Sequence, residues 1–179
     1  ERYYARCKLP SNHPNFLHIN LLEFVVVIIS VAVATMWLAD DLSSSVCHRE
    51  LQIPAIPVCK LTTDNESVRS WTHKVAARSP KGQRLGQIYA STLPRSECVF
   101  PIEHIAGEIN TLADYISRPT DTHLSCSLRH EQIFLTDART RSYDYFQVSQ
   151  ELLSLLDCAL FSKEWEGPPR LPKHLGRIV

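Results

Sequence analysis

The chain has 179 residues, of which 44% are hydrophobic and 21% charged, a composition that excludes wholesale disorder and allows one domain with a real core. Lys plus Arg and Asp plus Glu number 19 each, so the net charge neither favours nor excludes a nucleic-acid partner. The six cysteines lie far apart with no C-x-x-C pair, which argues against a zinc ribbon and indicates reduced thiols in an intracellular protein.

The first part of the chain predicts a strand and then one long apolar helix. Residues 2–8 suit a strand, and residues 21–39 contain a single charged residue, Glu23. We predict Asn20 as the N-cap of this helix and Glu23 as the acid of a capping box. The stretch is close to the roughly 20 residues that span a bilayer, but its acidic flanks and β-branched residues favour a helix buried in an α/β core.

The middle of the chain predicts alternating strands and helices. In chain order, we expect a strand over residues 54–63, a helix over 67–77 that Asp64 or Asn65 caps and Pro80 closes, a helix over 81–93, a strand over 98–105, and a helix or turn over 110–116. Such alternation is typical of an α/β domain.

The pattern changes after Pro119. Residues 146–161 have the apolar spacing of one amphipathic helix, and residues 168–174 form a Pro-rich basic tail that we expect to be extended or disordered. The predicted organisation is therefore one domain over residues 1–119, followed by a linker, a helix and a tail over 120–179.

Three short blocks carry the candidate site residues. They are HINLLEF at residues 18–24, TDN at 63–65 and HIAGEINTLADYISR at 104–118. They place Glu23 at the start of a helix, Asp64 at the end of a strand, and Asp114 after a second strand. Three converging carboxylates can hold Mg²⁺ or Mn²⁺, which prefer oxygen ligands, against a phosphodiester.

Each candidate also has a simpler explanation when it is taken alone. Glu23 fits a capping-box acid, and Asp64 fits a turn or N-cap residue after a strand. Asp114 fits a solvated surface charge, and His104 fits a hydrogen-bonded strand histidine. Only the order and local sequence of the three blocks together favour a nuclease site.

Together the blocks resemble the ribonuclease H domain that is attached to the reverse transcriptases of DIRS, BEL and gypsy retroelements. The resemblance covers residues 2–119 and implies a ribonuclease H-like mixed sheet flanked by helices, which cuts the RNA strand of RNA–DNA hybrids with Mg²⁺. By position it implies metal-binding roles for Glu23, Asp64 and Asp114, a catalytic role for His104, and substrate-binding roles for Asn65, Asn110 and Arg118.

The chain departs from this family at its start. A complete domain begins with a strand that carries another catalytic Asp, so we expect this chain to lack the first strands of the fold and to be weak or inactive outside its parent polyprotein. The missing strands would also leave an apolar face of the sheet exposed. Two alternatives remain: a non-catalytic structural remnant, and a single-pass membrane-associated protein anchored by residues 21–39.

Overall fold

The chain adopts a mixed α/β fold, which confirms the predicted class at that level. The computed structural model describes residues 3–4, 18–44, 56–93, 98–110, 144–167, 171 and 175–178. The elements in chain order are β1 (Tyr3–Tyr4), α1 (Ile19–Ser44), β2 (Leu61–Thr63), α2 (Glu66–Lys74), α3 (Pro80–Thr92), β3 (Ile102–His104), a 3₁₀ turn (Gly107–Ile109), β4 (Asp144–Val148), α4 (Gln150–Phe161) and β5 (Gly176–Ile178).

Two small sheets organise the described strands. β2 and β3 pair in parallel, with Leu61 opposite Ile102 and Thr63 opposite His104, so their carboxyl ends lie at the same edge. Both strands are shorter than predicted, although an isolated bridge between Val58 and Val99 extends their pairing towards the amino ends. Prolines interrupt the two segments because a proline cannot donate a backbone hydrogen bond.

The second sheet has the order β1, β4, β5, with β1 parallel and β5 antiparallel to β4. It corrects the prediction of one helix over residues 146–161, since Phe146, Gln147 and Val148 alternate between buried and exposed as strand residues do. The helix begins at Gln150. Ser149 is its N-cap, and the Ser149 side-chain oxygen accepts a hydrogen bond from the Leu152 N–H at 3.1 Å.

The predicted tail also contributes to the packed fold. Leu171 and Leu175 are buried, and the following residues form β5. The other residues of the 168–174 segment lie outside the described part of the chain. Because both leucines belong to the same hydrophobic core as α1, the described residues on either side of residue 119 share that core.

The long helix α1 starts earlier than predicted. Its first turn begins at Ile19, with the His18 carbonyl accepting from the Leu21 N–H at 2.8 Å and the His18 ring accepting from the Asn20 N–H at 3.3 Å. His18 therefore takes the capping position, and the predicted roles of Asn20 as N-cap and of Glu23 as capping-box acid are wrong. Both side chains are free for other contacts.

The middle of α1 forms the centre of the core. Phe24, Ile28 and Val31 are almost completely buried, and the Phe24 ring lies 5.8 Å from the rings of both Trp71 and Tyr89. α1 is also long and apolar enough to cross a membrane, although more than half of that span is buried within the fold. Buried core helices pass the same test of length and composition, so this property alone does not identify a membrane protein.

Helices α2 and α3 connect the two parallel strands. Asn65 caps α2, which ends at Lys74 rather than Ala77 because Val75 adopts a left-handed conformation with φ of 48°. Pro80 does not close α2 as predicted. It is the first residue of α3, where its fixed φ suits a helix start, and Ser79 caps that helix. The bounds of α3 differ from the prediction by a single residue at each end.

Candidate functional site

The predicted site residues that the structure describes come together at the carboxyl ends of β2 and β3. Asp64 directly follows β2, His104 ends β3, and Asn110 follows the 3₁₀ turn. The first turn and a half of α1 brings Asn20 and Glu23 to the same place. In open α/β sheets, ligands bind outside the carboxyl ends of the strands, so the location fits a binding site.

The loop after β3 holds Asp64 through two contacts. The Asn110 side-chain amide donates to Asp64 Oδ2 at 3.1 Å, and His104 Nε2 donates to the Asp64 backbone carbonyl at 3.2 Å. The first contact orients the carboxylate and the second fixes the backbone that carries it. In this structure the His104 side chain therefore holds the backbone of Asp64 in place. The catalytic role of His104 stays a prediction.

Glu23 presents a carboxylate with one unsatisfied oxygen. The side chain is half-buried, and its Oε2 is shielded from solvent with no hydrogen-bond partner among the residues that the structure describes. Burial, together with the neighbouring Asp64 carboxylate, raises the pKa of Glu23, while a hydrogen bond with Asn65 opposes the shift. An unpartnered buried oxygen beside a second carboxylate is a place where a bound cation would lower the free energy.

A pair of asparagines links the two carboxylate-bearing segments. Asn65 Nδ2 donates to Asn20 Oδ1 at 2.8 Å across 45 residues of sequence. The local sequence does not indicate this contact, because Asn20 fits a helix cap when it is considered alone. The only available signal was the spacing, since Asn20 precedes Glu23 by three residues and so shares its helix face.

A third acidic side chain nearby is already paired. Glu66, in the first turn of α2, accepts from Arg69 Nε at 2.9 Å and makes a second contact with the same guanidinium. This ion pair holds the pKa of Glu66 below its ordinary value, with a smaller contribution from His104. Glu66 is also exposed, so its carboxylate is not available to the site in the way that Glu23 is.

Two of the predicted site residues, Asp114 and Arg118, lie outside the described part of the chain. Within the described ranges there is no group of three or more His, Cys, Asp or Glu side chains that could hold a metal ion. Two of the three predicted metal ligands, Glu23 and Asp64, are therefore described. Asn110 lies four residues before Asp114 in sequence.

No protein-family model, no curated protein and no solved structure matches this chain. The chemistry of the site therefore has to come from its own residues. Two close carboxylates with amide neighbours, one of them with an orphaned oxygen, suit a hard divalent cation better than a soft one.

Proposed function

We propose that this chain is the ribonuclease H-type part of a reverse transcriptase, which hydrolyses the RNA strand of RNA–DNA hybrids with the help of Mg²⁺ or Mn²⁺. The observation that carries the proposal is the unsatisfied Glu23 carboxylate beside Asp64, at the shared carboxyl edge of two parallel strands. The order of the three sequence blocks supplies the reaction class.

The residues fit a divalent cation. In the proposal, Glu23, Asp64 and Asp114 hold the metal, and the shielded oxygen of Glu23, which has no partner among the described residues, gains one. When bound, the metal activates water and stabilises the charge that develops on the phosphate. Asn110 keeps the Asp64 carboxylate oriented through its hydrogen bond, and His104 keeps the backbone at Asp64 in place.

An open strand edge supports the expectation that further strands belong to the fold. Cys59 and Leu61 direct their backbone N–H groups to Val99 and Pro101, in the segment that leads into β3, so Val58 and Lys60 direct theirs to the opposite side. No described strand pairs with that side of β2. In the proposal this side of β2 receives a further strand of a ribonuclease H-like sheet, and the chain acts as part of a larger polyprotein inside the cell.

The proposed substrate is recognised by shape. An RNA–DNA hybrid differs from duplex DNA in its groove dimensions and its 2′-hydroxyl groups, and proteins read such helices mainly through backbone and sugar contacts. The balanced net charge of the chain is compatible with this mode only if basic residues are concentrated locally. The substrate-binding candidates that the resemblance supplies are Asn65, Asn110 and Arg118.

A hydrolysis assay tests the proposal. The protein should be produced in its natural open reading frame and given a labelled RNA–DNA hybrid with Mg²⁺ or Mn²⁺. Replacing Asp64→Asn or Glu23→Gln should lower the rate roughly 100-fold or more. The matched control is Glu103→Gln, because Glu103 is an exposed acid that pairs with Lys60 at 2.6 Å and takes no part in the proposed site.

Two outcomes would contradict the proposal. A folded wild-type protein that cleaves no hybrid would favour a structural remnant of the domain. A protein that dissolves only in detergent would favour the membrane-associated alternative, in which α1 spans a bilayer.

A further inference from the structure

Positive charge is concentrated around the turn between α2 and α3. Five of the 19 Lys and Arg residues of the chain lie within residues 67–93, and none of its 19 Asp and Glu residues does. Because the whole chain has no net charge, the remaining segments are acidic on balance. A uniformly basic segment in a neutral protein produces a local positive field that attracts polyanions.

Two of these five cations are already used inside the fold. Arg69 pairs with Glu66 in the first turn of α2. The Arg84 guanidinium donates to the Ser162 carbonyl at 2.6 Å, just beyond the end of α4, and lies 5.7 Å from the centre of the Trp165 ring. Both side chains therefore stabilise the packing of the helices.

The other three cations, Lys74, Arg78 and Lys81, form what we call the basic turn. Lys74 and Arg78 are exposed, and Lys81 is half-buried with its Nζ 5.5 Å from the centre of the Phe161 ring. Within the described part of the chain, no carboxylate forms an ion pair with any of the three. Their charges are thus available to a partner in solvent.

The backbone of the basic turn is held in place at both ends. Val75 adopts the left-handed conformation that ends α2, and the Ala76 N–H donates to the Trp71 carbonyl at 3.1 Å. Ala77 is buried, and a Cβ at Gly82 would lie only 2.6 Å from the Ala77 side chain, so the turn packs closely on α3. Charges carried by an ordered backbone lose less entropy on binding.

The basic turn lies away from the carboxylate pair. α2 begins next to Asp64, and its nine residues extend about 14 Å at 1.5 Å per residue. Near the far end of α2, His73 Nε2 donates to the carbonyl of Ile102, the first residue of β3, at 3.2 Å. α2 therefore runs back along the strands towards their amino ends, and the basic turn is a surface separate from the candidate metal site.

We propose that the basic turn binds the phosphate backbone of a nucleic-acid duplex. Lys and Arg side chains that neutralise phosphates and release counterions supply most of the affinity of such binding when it is independent of sequence. Basic segments that bind membranes also present Trp, Phe or Leu to the lipid, whereas the large exposed apolar side chain of this turn is Val75. The inference goes beyond the proposed function, because it requires neither the carboxylates nor a metal.

The direct test measures binding of a fluorescently labelled RNA–DNA hybrid in EDTA by anisotropy, with the protein in its natural open reading frame. The Lys74→Gln/Arg78→Gln/Lys81→Gln variant removes all three charges of the basic turn. We expect its dissociation constant to rise roughly 100-fold at 0.1 M salt. The slope of log Kd against log salt concentration should become shallower by about one for each charge removed.

A pair of double variants separates the basic turn from net charge. Lys74→Gln/Arg78→Gln and Lys60→Gln/Arg69→Gln each remove two positive charges. Lys60 and Arg69 are already paired with carboxylates, so their removal should change hybrid affinity little. The variant in the basic turn should lose roughly tenfold or more.

Two further variants separate charge from other properties of the side chains. Lys74→Arg/Lys81→Arg keeps both positive charges and should keep the wild-type affinity and salt slope. Asp64→Asn should bind the hybrid in EDTA at least as tightly as wild type, because the basic turn is distant from that carboxylate. Urea unfolding midpoints show that each variant is folded under the conditions of the binding measurement.

The outcomes distinguish this inference from the proposed function. A triple variant that binds the hybrid as tightly as wild type overturns the inference, and so does a Lys60→Gln/Arg69→Gln variant that loses as much affinity as its counterpart. Wild-type protein that binds phosphatidylserine vesicles and no hybrid also overturns it. Wild-type protein that binds the hybrid through the basic turn and fails to cleave it with Mg²⁺ contradicts the proposed function alone.

Discussion

The first turns of α1 and its middle turns lie in contrasting surroundings. Asn20 and Glu23 meet polar partners at the strand ends, and Glu23 keeps an oxygen without a partner. Phe24, which directly follows Glu23, points into the hydrophobic core, as do Ile28 and Val31 about one to two turns later. One rigid helix therefore serves as the centre of the core and as the platform for a candidate ligand.

The contrast indicates how the two regions divide stability and function. The apolar turns of α1 lose surface to the core and stabilise the fold. Glu23, near the start of α1, is destabilised by the like charge of Asp64 after β2. Strain of this kind is expected where a site is arranged for a ligand that the free protein lacks. The following changes are ordered by the size of their expected effect.

The strongest test places a charge on each side of α1. Val31 is completely buried, whereas Val26 is 59% exposed. We expect Val31→Lys to prevent folding, because an unpaired charge in the core costs several kcal/mol, and Val26→Lys to change the free energy of unfolding by less than about 0.5 kcal/mol. Circular dichroism during urea unfolding measures both.

If the two lysine variants had the same stability, the contrast between the buried and the exposed side of α1 would be wrong. If both positions faced lipid in a bilayer, each lysine would be penalised near the middle of the span. Two variants that fold equally well would show instead that the core does not enclose this helix.

A smaller loss is expected when the core loses volume. Ile28 is 0% exposed, so Ile28→Ala should lower the free energy of unfolding by about 2–5 kcal/mol through lost transfer energy and a cavity. The urea midpoint gives the change. The Mn²⁺ affinity of the folded variant should be preserved. A large loss of affinity would mean that packing in the core determines the geometry of the candidate site.

A modest effect is expected when the loop after β3 loses its side-chain contact with Asp64. Asn110→Ala removes the amide that donates to Asp64 Oδ2 at 3.1 Å. Stability should fall by roughly 1 kcal/mol, since the lost bond is to a charged group that water can partly replace. The rate of hybrid hydrolysis should fall with it, whereas a variant with unchanged activity would remove Asn110 from the site.

The smallest change is expected to be a gain in stability. Burial and Asp64 raise the pKa of Glu23, so the folded state binds this proton more tightly than the unfolded state does. The stability that this provides is present at low pH and is lost as pH rises through the folded pKa. Glu23→Gln should therefore stabilise the metal-free protein at about pH 7.5, by less than about 1 kcal/mol because solvent screens the repulsion.

Thermal unfolding at several pH values measures this gain. The difference between Glu23→Gln and wild type should disappear as pH falls below the ordinary range of a Glu carboxyl, where the wild-type side chain is protonated. Mg²⁺ should stabilise the wild-type protein and not the variant. A variant that is less stable than wild type at neutral pH would show that the Glu23 charge is satisfied in the fold.

Local signals in the sequence were sufficient for some parts of this structure. The Ser79-Pro80 start and the apolar spacing of α3 gave its bounds closely, and the Asp64-Asn65 pair indicated both a strand end and the start of α2. These features depend on neighbouring residues, which is why a sequence can reveal them.

Other parts depended on contacts that are distant in sequence. The hydrogen bond between Asn20 and Asn65 joins segments 45 residues apart, and no periodicity in the sequence predicts it. Phe146 and Val148 extend an apolar pattern that also suits a helix, and pairing with β5 makes them a strand. The left-handed Val75 that ends α2 is equally hidden, because a β-branched residue rarely adopts that conformation.

The central claim is that Glu23 and Asp64 form a divalent-cation site, and a Mg²⁺ titration followed by amide NMR tests it most directly. We predict saturable shifts at Asp64, Asn65 and the first turn of α1, with the signal of the buried Ile88 unchanged. The Asp64→Asn variant should show none of these shifts. Shifts that persist in Asp64→Asn, or a wild-type spectrum that Mg²⁺ does not change, would contradict it.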